Sequence, residues 1–224
     1  MHLKQVLSQL IYSHIFFTNT MQSSIDNLLV PSLRKAIEQN LGKKTLNKIE
    51  KRLVERHGMN ITQAVKDFNK FDSVLREFFG SGADGLETKF LDNIINIERS
   101  LNNDIGWLTI QDQELAKVFL EFLGDGDKIA IINSVLDKPL IVADILESCK
   151  IPQTSGYRKI NSLIKCGLLI PNGYAFTNDQ KKVTRYESLF QNIQIGMEKN
   201  RIKVKIQPKK HSVENSTILQ TIRV

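Results

Sequence analysis

Residues 153–166 carry polar and basic side chains at the spacing of one helix face. Thr154, Arg158, Asn161 and Lys165 recur at intervals of three and four residues, so a helix would place them together. Such side chains can hydrogen-bond to base edges and to phosphates in the major groove of duplex DNA. The opposite face would hold an apolar stripe and two glycines: Gly156, Ile160, Leu163, Ile164 and Gly167. The spacing therefore predicts a recognition helix over about 153–166.

The flanks of this helix extend the predicted DNA contact. The free amides and the dipole at the start of a helix attract a backbone phosphate, and Thr154 and Ser155 lie there. Gly156 would allow the preceding helix to approach closely. The predicted DNA-binding residues of the helix are Gln153, Thr154, Ser155, Tyr157, Arg158, Lys159, Asn161 and Lys165.

The positive charge of the chain is concentrated in the same part of the sequence. The 224 residues carry 31 Lys and Arg against 24 Asp and Glu. Residues 1–149 hold 17 basic and 20 acidic residues, whereas residues 150–210 hold 13 and 3. A charge asymmetry of this kind points to nucleic acid as a partner. The alternative is a basic surface that only keeps the protein in solution.

Composition excludes several other classes of protein. An apolar fraction of 41% and a charged fraction of 25% are typical of globular chains and not of disordered or fibrous ones. The two cysteines cannot form a disulfide framework and favour a reducing compartment, so we expect a cytoplasmic protein. The apolar run 10–17 is too short to cross a bilayer, and we expect no membrane partner.

The hydrophobic pattern predicts the elements that must position the basic helix. Residues 1–24 form a poorly assigned extension, either an upstream start read in error or a short amphipathic helix. Residues 25–97 read as a helical domain of unknown role, 98–111 as a linker, and 211–224 as a frayed tail or short helix. Alternating apolar residues on either side of 198–201 predict a β-hairpin. Residues 112–210 are therefore predicted to form a winged helix-turn-helix domain, from its helices followed by a C-terminal hairpin.

The predicted fold class is mainly α with a small β component. It comprises an N-terminal helical domain and a C-terminal winged helix-turn-helix with a β-hairpin.

The segment Ile151–Leu169 resembles the recognition-helix region of arsenic-type (ArsR-like) winged-helix repressors. The shared pattern is an apolar residue, a Ser/Thr-rich turn, an arginine, an apolar stripe, then a small residue, Gly167 and an apolar pair. The resemblance covers about 125–190, and the whole layout is similar to that of two-part archaeal regulators. It implies a dimeric DNA-binding transcriptional regulator whose wing, about 174–187, contributes Lys181, Lys182 and Arg185. The closely spaced cysteine pair of the metal-sensing members is missing, so metal sensing is not implied.

Four other patterns carry little chemistry. Residues 80–85 match G-x-G-x-x-G, but the preceding residues read as helix, so a helix–helix turn is expected in place of a nucleotide site. Asp125-Gly126-Asp127 is expected to cap a helix, because the later ligands of a calcium loop are missing. The cysteines and histidines show no zinc spacing, and we predict neither a metal nor a cofactor. Basic residues between 34 and 56 form either a solvated helix face or an extra nucleic-acid contact.

Two functions remain open from the sequence. The first is a transcriptional regulator that reads double-stranded DNA as a homodimer, with an unknown small effector or protein partner on its N-terminal domain. The second is a protein-interaction module of the transcription or signalling machinery that uses a winged-helix scaffold. No nucleophile–base pair stands out, so we predict that the protein is not an enzyme.

Overall fold

A computed structural model describes residues 24–100, 105–177 and 179–221 of the chain. Apart from its last residue, the predicted extension 1–24 lies outside these ranges. The helices are α1 Ser24–His57, α2 Ile61–Lys66, α3 Phe68–Phe79, α4 Gly82–Asp92, α5 Gln113–Leu123, α6 Gly126–Ser134, α7 Val142–Ser148, α8 Gln153–Lys165, α9 Lys210–Glu214 and α10 Thr217–Thr221. The strands are β1 Ile95–Arg99, β2 Ile105–Ile110, β3 Leu140–Ile141, β4 Leu169–Phe176, β5 Lys182–Ser188, β6 Phe190–Glu198 and β7 Arg201–Pro208.

The N-terminal helices follow the local signals of the sequence. Gly42 has φ 74° and ψ 155°, so the backbone is not helical at this residue and α1 is divided into two helical halves. Asn60 and Gln63 form a capping box at the start of α2. Gly80 has φ 55° at the end of α3, and a positive φ of this kind favours glycine.

The predicted fold class is wrong, because strands make up a larger part of the structure than a mainly α fold allows. Seven strands of the described residues form two antiparallel sheets. One has four strands in the order β1-β2-β7-β6, and the other has three in the order β3-β5-β4. The protein is therefore a mixture of helix and sheet.

Residues 98–111 were predicted as a linker but largely form strand. β1 ends and β2 begins within this range, and the two strands pair from Ile95↔Ile110 to Arg99↔Ile105. Leu108 and Ile110 are buried, since they pack into the hydrophobic core. The sequence did not predict this hairpin, because residues 98–104 are mostly charged or polar and apolar alternation occurs only before and after them.

The hairpin predicted around residues 198–201 is confirmed as β6 and β7, but its place in the fold differs from the prediction. β7 pairs with β2 through Leu108↔Ile206 and Ile110↔Val204. The hairpin therefore extends the sheet of β1 and β2 and does not pair with β3, β4 and β5, the strands of the other sheet. Phe190 at its start packs against Phe119 and Phe122 of α5, with ring centroids 6.3 and 6.2 Å apart.

The C-terminal residues were predicted to be a frayed tail or a short helix, and the described part is two short packed helices. Ile218 of α10 is fully buried. The buried Asp26 carboxylate of α1 accepts hydrogen bonds from the Ser216 hydroxyl and, at 2.9 Å, from the Thr217 amide. The Thr217 hydroxyl accepts a bond from the Phe68 amide at the start of α3. The end of the described chain thus fastens α1 to α3.

None of the helices in the described ranges is long and apolar enough to span a membrane.

Candidate nucleic-acid interface

Helices α7 and α8 form a helix-turn-helix whose crossing depends on Gly156. The turn between them ends at Pro152, which precedes the first residue of α8. A Cβ added to Gly156 would lie 2.3 Å from Leu146 Cδ2 and 3.1 Å from Leu146 Cδ1. Carbon atoms in contact are normally about 3.5–4.0 Å apart, so any larger residue at position 156 would force the Leu146 side chain to shift. The expected close approach of the preceding helix is therefore present.

The apolar stripe of α8 faces the core, and the polar face points outward. Ile160 and Leu163 are almost fully buried, and Ile164 packs against the core at its edge. Arg158, Asn161 and Lys165 are exposed on the other side, together with Gln153 and Thr154. Neither Arg158 nor Lys165 has an ion-pair partner among the described residues. Their charges are available to a partner in solution.

The backbone amides at the start of α8 have no side-chain cap. Pro152 stands at the N-cap position and makes no side-chain capping bond. The half-buried Ser155 hydroxyl turns back and donates to the Pro152 carbonyl at 3.1 Å. Tyr157 is 47% exposed one residue beyond Gly156, so an aromatic face stands beside the exposed amides.

Lys159 differs from the other residues predicted to bind DNA. Its ammonium group donates to Asp125 Oδ1 at 2.6 Å and lies 3.3 Å from Asp127 Oδ2. Its hydrogen bond to Asp125 raises the pKa of Lys159 and lowers that of Asp125. Asp125 also caps α6 by accepting the Asp127 and Lys128 amides, as the sequence predicted for this residue. Lys159 therefore joins α8 to the start of α6.

The predicted wing corresponds to the hairpin of β4 and β5. Lys181 lies in its turn, where Thr177 and Lys181 exchange hydrogen bonds and Gln180 has φ 57°. Lys182 begins β5 and places its ammonium group 3.8 Å from the centre of the Tyr174 ring. Arg185 is exposed further along β5, opposite Ile141 of β3. Because side chains alternate along a strand, Lys182 and Arg185 lie on opposite faces of this hairpin.

Phe176 is a feature of the wing that sequence reasoning missed. It is the last residue of β4, pairs with Lys182 in register, and is 73% exposed. Apolar wedges at such positions can enter the minor groove between base steps. The alternation Tyr174-Ala175-Phe176 is typical of a strand, but it does not indicate which face of the strand is left uncovered.

Three remaining sequence patterns can be located in the structure. Gly80 and Ser81 form the turn between α3 and α4, whereas Gly82 and Gly85 lie within α4. The motif has a helix and not a strand before it, unlike a dinucleotide site. Cys166 is half-buried and donates to the Leu163 carbonyl, and burial raises the pKa of its thiol. In the described ranges no three His, Cys, Asp or Glu residues are grouped as a metal ion would require.

Comparison of the chain with protein-family models, with curated proteins and with solved structures found no match. The observations that bear on function are therefore the residues of α8 and of the β4–β5 hairpin and their geometry.

Proposed function

We propose that this protein is a DNA-binding transcriptional regulator of the ArsR-like winged-helix type that acts in the cytoplasm. In this proposal α8 enters the major groove, with Arg158 and Asn161 reading base edges. Lys165 and Lys181 contact phosphates, and the exposed amides at the start of α8 hold a further phosphate. The wing lies along the adjacent groove and presents Phe176 and Lys182.

One observation carries the proposal. Helix α8 crosses α7 closely at Gly156 and turns an exposed polar and basic face outward while its other face is buried. A helix whose polar face only contacts water would require neither the close crossing at Gly156 nor the adjacent sheet of order β3-β5-β4. This combination of a supported helix and a flanking hairpin is the arrangement with which winged helices dock on DNA.

The direct test is selection of binding sites from random duplex DNA. We expect the wild-type protein to enrich one sequence, and Arg158→Ala to weaken binding to it by about 5- to 150-fold, equivalent to about 1–3 kcal/mol. Lys89→Ala is the matched control, because Lys89 is exposed on α4, outside the winged helix. Failure to enrich any sequence, or an equal loss in both variants, would refute base reading by α8.

We also propose that the protein binds DNA as a homodimer. Strand β6 is one edge of the four-stranded sheet and carries no charge or proline from Phe190 to Met197. Its register against β7 shifts between Phe190 and Asn192, at the start of the strand, and is regular from Asn192 onward. Natural edge strands usually carry charges, prolines or bulges that prevent pairing with another chain. Two copies can pair antiparallel through β6 about a two-fold axis, which gives an isologous dimer suited to two half-sites.

A protein-interaction module is the second candidate, and the exposed apolar residues favour it. Met197 is 76% exposed at the end of β6, and Ile195 on the same strand is also exposed. Exposed apolar side chains that lie together mark sites of protein contact. Capture of a partner that survives nuclease treatment, with no duplex DNA binding, would support this function over the first.

A further inference from the structure

A cavity of about 220 Å³ lies where the N-terminal helix meets the end of the recognition helix. Its walls come from the first turns of α1, from α5, and from the C-terminal end of α8 at Lys165 and Cys166. Liquid water occupies about 30 Å³ per molecule, so the space corresponds to about seven waters. It is smaller than the pockets of about 300–1,000 Å³ that hold drug-sized ligands.

The walls of this cavity are mainly apolar. Leu28 of α1 and Leu115 of α5 are almost fully buried, and Val118 and Cys166 are half-buried beside them. The polar wall groups bond to each other, since the Ser32 hydroxyl donates to Asp112 Oδ1 at 2.9 Å. An apolar body therefore fits the interior better than a polar one.

The charge at the rim is positive once the internal bonds are counted. Asp112 caps α5 by accepting the Leu115 amide at 2.8 Å, in addition to its bond with Ser32. Glu114 bonds to Lys117 at 2.7 Å. The two rim lysines, Lys35 and Lys165, have no ion-pair partner among the described residues. Asp112 keeps its negative charge, because both of its partners are neutral. With Glu114 paired to Lys117, the two rim lysines against Asp112 leave a net charge of +1 for a ligand.

We infer that this cavity binds a small carboxylate with an apolar body, its carboxylate held by Lys35 and Lys165. The apolar part lies against Leu28, Leu115 and Val118. A carboxylate held by ammonium groups makes charge-assisted hydrogen bonds, which are stronger than neutral ones. The volume limits the ligand to roughly ten heavy atoms at about 20–30 Å³ each.

The position of Lys165 links this site to DNA. The same side chain lies at the cavity rim and on the exposed face of α8, so a bound carboxylate competes with a phosphate for it. This coupling rests on the proposed function, whereas binding of the carboxylate does not. A carboxylate bound in the cavity is therefore expected to weaken DNA binding. The loss of DNA affinity cannot exceed the ratio of the carboxylate affinities of the free and the DNA-bound protein.

Binding can be measured without DNA through the thiol of Cys166. In the Cys149→Ser protein, Cys166 is the remaining cysteine, and its modification by methyl methanethiosulfonate can be followed by mass spectrometry. Hexanoate at ten times its dissociation constant should slow modification about tenfold, because about one site in eleven stays empty. Hexanamide has the same length without the charge and should protect at least tenfold more weakly.

Two variants of the cavity and one control variant distinguish binding in the cavity from effects elsewhere on the protein. Lys35→Gln should raise the dissociation constant of hexanoate about tenfold, and Lys43→Gln, which alters an exposed lysine of the same helix, should leave it unchanged. Val118→Phe should remove protection by both compounds, with thermal unfolding confirming that it folds. No protection by hexanoate, or equal protection by hexanoate and hexanamide, would overturn the inference.

The coupling has its own readout. If hexanoate protects Cys166 and also weakens duplex DNA binding, the carboxylate site and its link to α8 are both supported. Protection of Cys166 with unchanged DNA affinity would refute the coupling and leave the site intact. Protection in a protein that binds no DNA would refute the proposed function alone.

Discussion

Gly156→Ala should destabilise the helix-turn-helix by overpacking. The new methyl carbon would lie 2.3 Å from Leu146 Cδ2 and 3.2 Å from Leu146 Cγ, in a place where Leu146 is almost fully buried. The normal separation of two carbon atoms is about 3.5 Å, so Leu146 Cδ2 and the new methyl carbon must move apart by more than about 1 Å. Overpacking of this kind costs about 1–3 kcal/mol. The better helix propensity of alanine offsets about 0.8–1 kcal/mol.

The assay is urea unfolding of Gly156→Ala beside a control with the same chemical change. Gly85 lies in α4 with nothing within 4 Å of an added Cβ, so Gly85→Ala gains only the helix propensity. The difference in unfolding free energy between the two variants should be about 1–3 kcal/mol. In a Leu146→Ala background, which removes the clashing atoms, this difference should disappear. Equal effects of both substitutions in the wild-type background would refute the close crossing of α7 and α8.

Buried charges and the β6 edge give three more tests. Burial above all raises the pKa of Glu87 to about 8. The folded chain therefore keeps this proton above the pH at which the unfolded chain loses it, and the free energy of unfolding should fall by up to about 1.4 kcal/mol per pH unit between about pH 5 and 8. Glu87→Gln should flatten this slope in urea titrations, and an unchanged slope would contradict the assignment. Lys209→Met should cost about 3–5 kcal/mol because it leaves the buried Glu187 carboxylate without the ammonium 2.9 Å away, and Glu187→Leu/Lys209→Met should recover part of the loss. Gln194→Lys/Gly196→Lys should give a monomer by analytical ultracentrifugation where the wild type is a dimer, and a dimer of unchanged affinity would exclude the β6 edge.

The parts that the sequence predicted well depend on short-range periodicity. The face of α8 could be predicted because its apolar stripe repeats every three to four residues, and a helix of 13 residues allows that pattern to repeat. The hairpin of β6 and β7 was likewise visible, since Ile193, Ile195 and Met197 alternate over one strand.

Long-range pairing determined what the sequence could not predict. β2 is buried because β7 lies beside it, and the two strands are nearly 100 residues apart in the chain. The role of Lys159 depends on Asp125, which lies 34 residues earlier and comes into reach only when α6 and α8 pack. The cavity is formed by residues from three helices and has no local pattern. In each case the contact joins residues too far apart in the chain for a local sequence pattern to indicate it.

The salt dependence of duplex DNA binding tests the central claim most directly. We expect the affinity of the wild-type protein to fall linearly with salt on logarithmic axes. Lys165→Ala/Lys181→Ala should reduce the slope by about two units of roughly 0.9 each, because two phosphate contacts are lost. Lys89→Ala should keep the wild-type slope. Absence of duplex binding at low salt, or a slope unchanged in the double variant, would contradict the assignment of α8 and the wing as the DNA-binding surface.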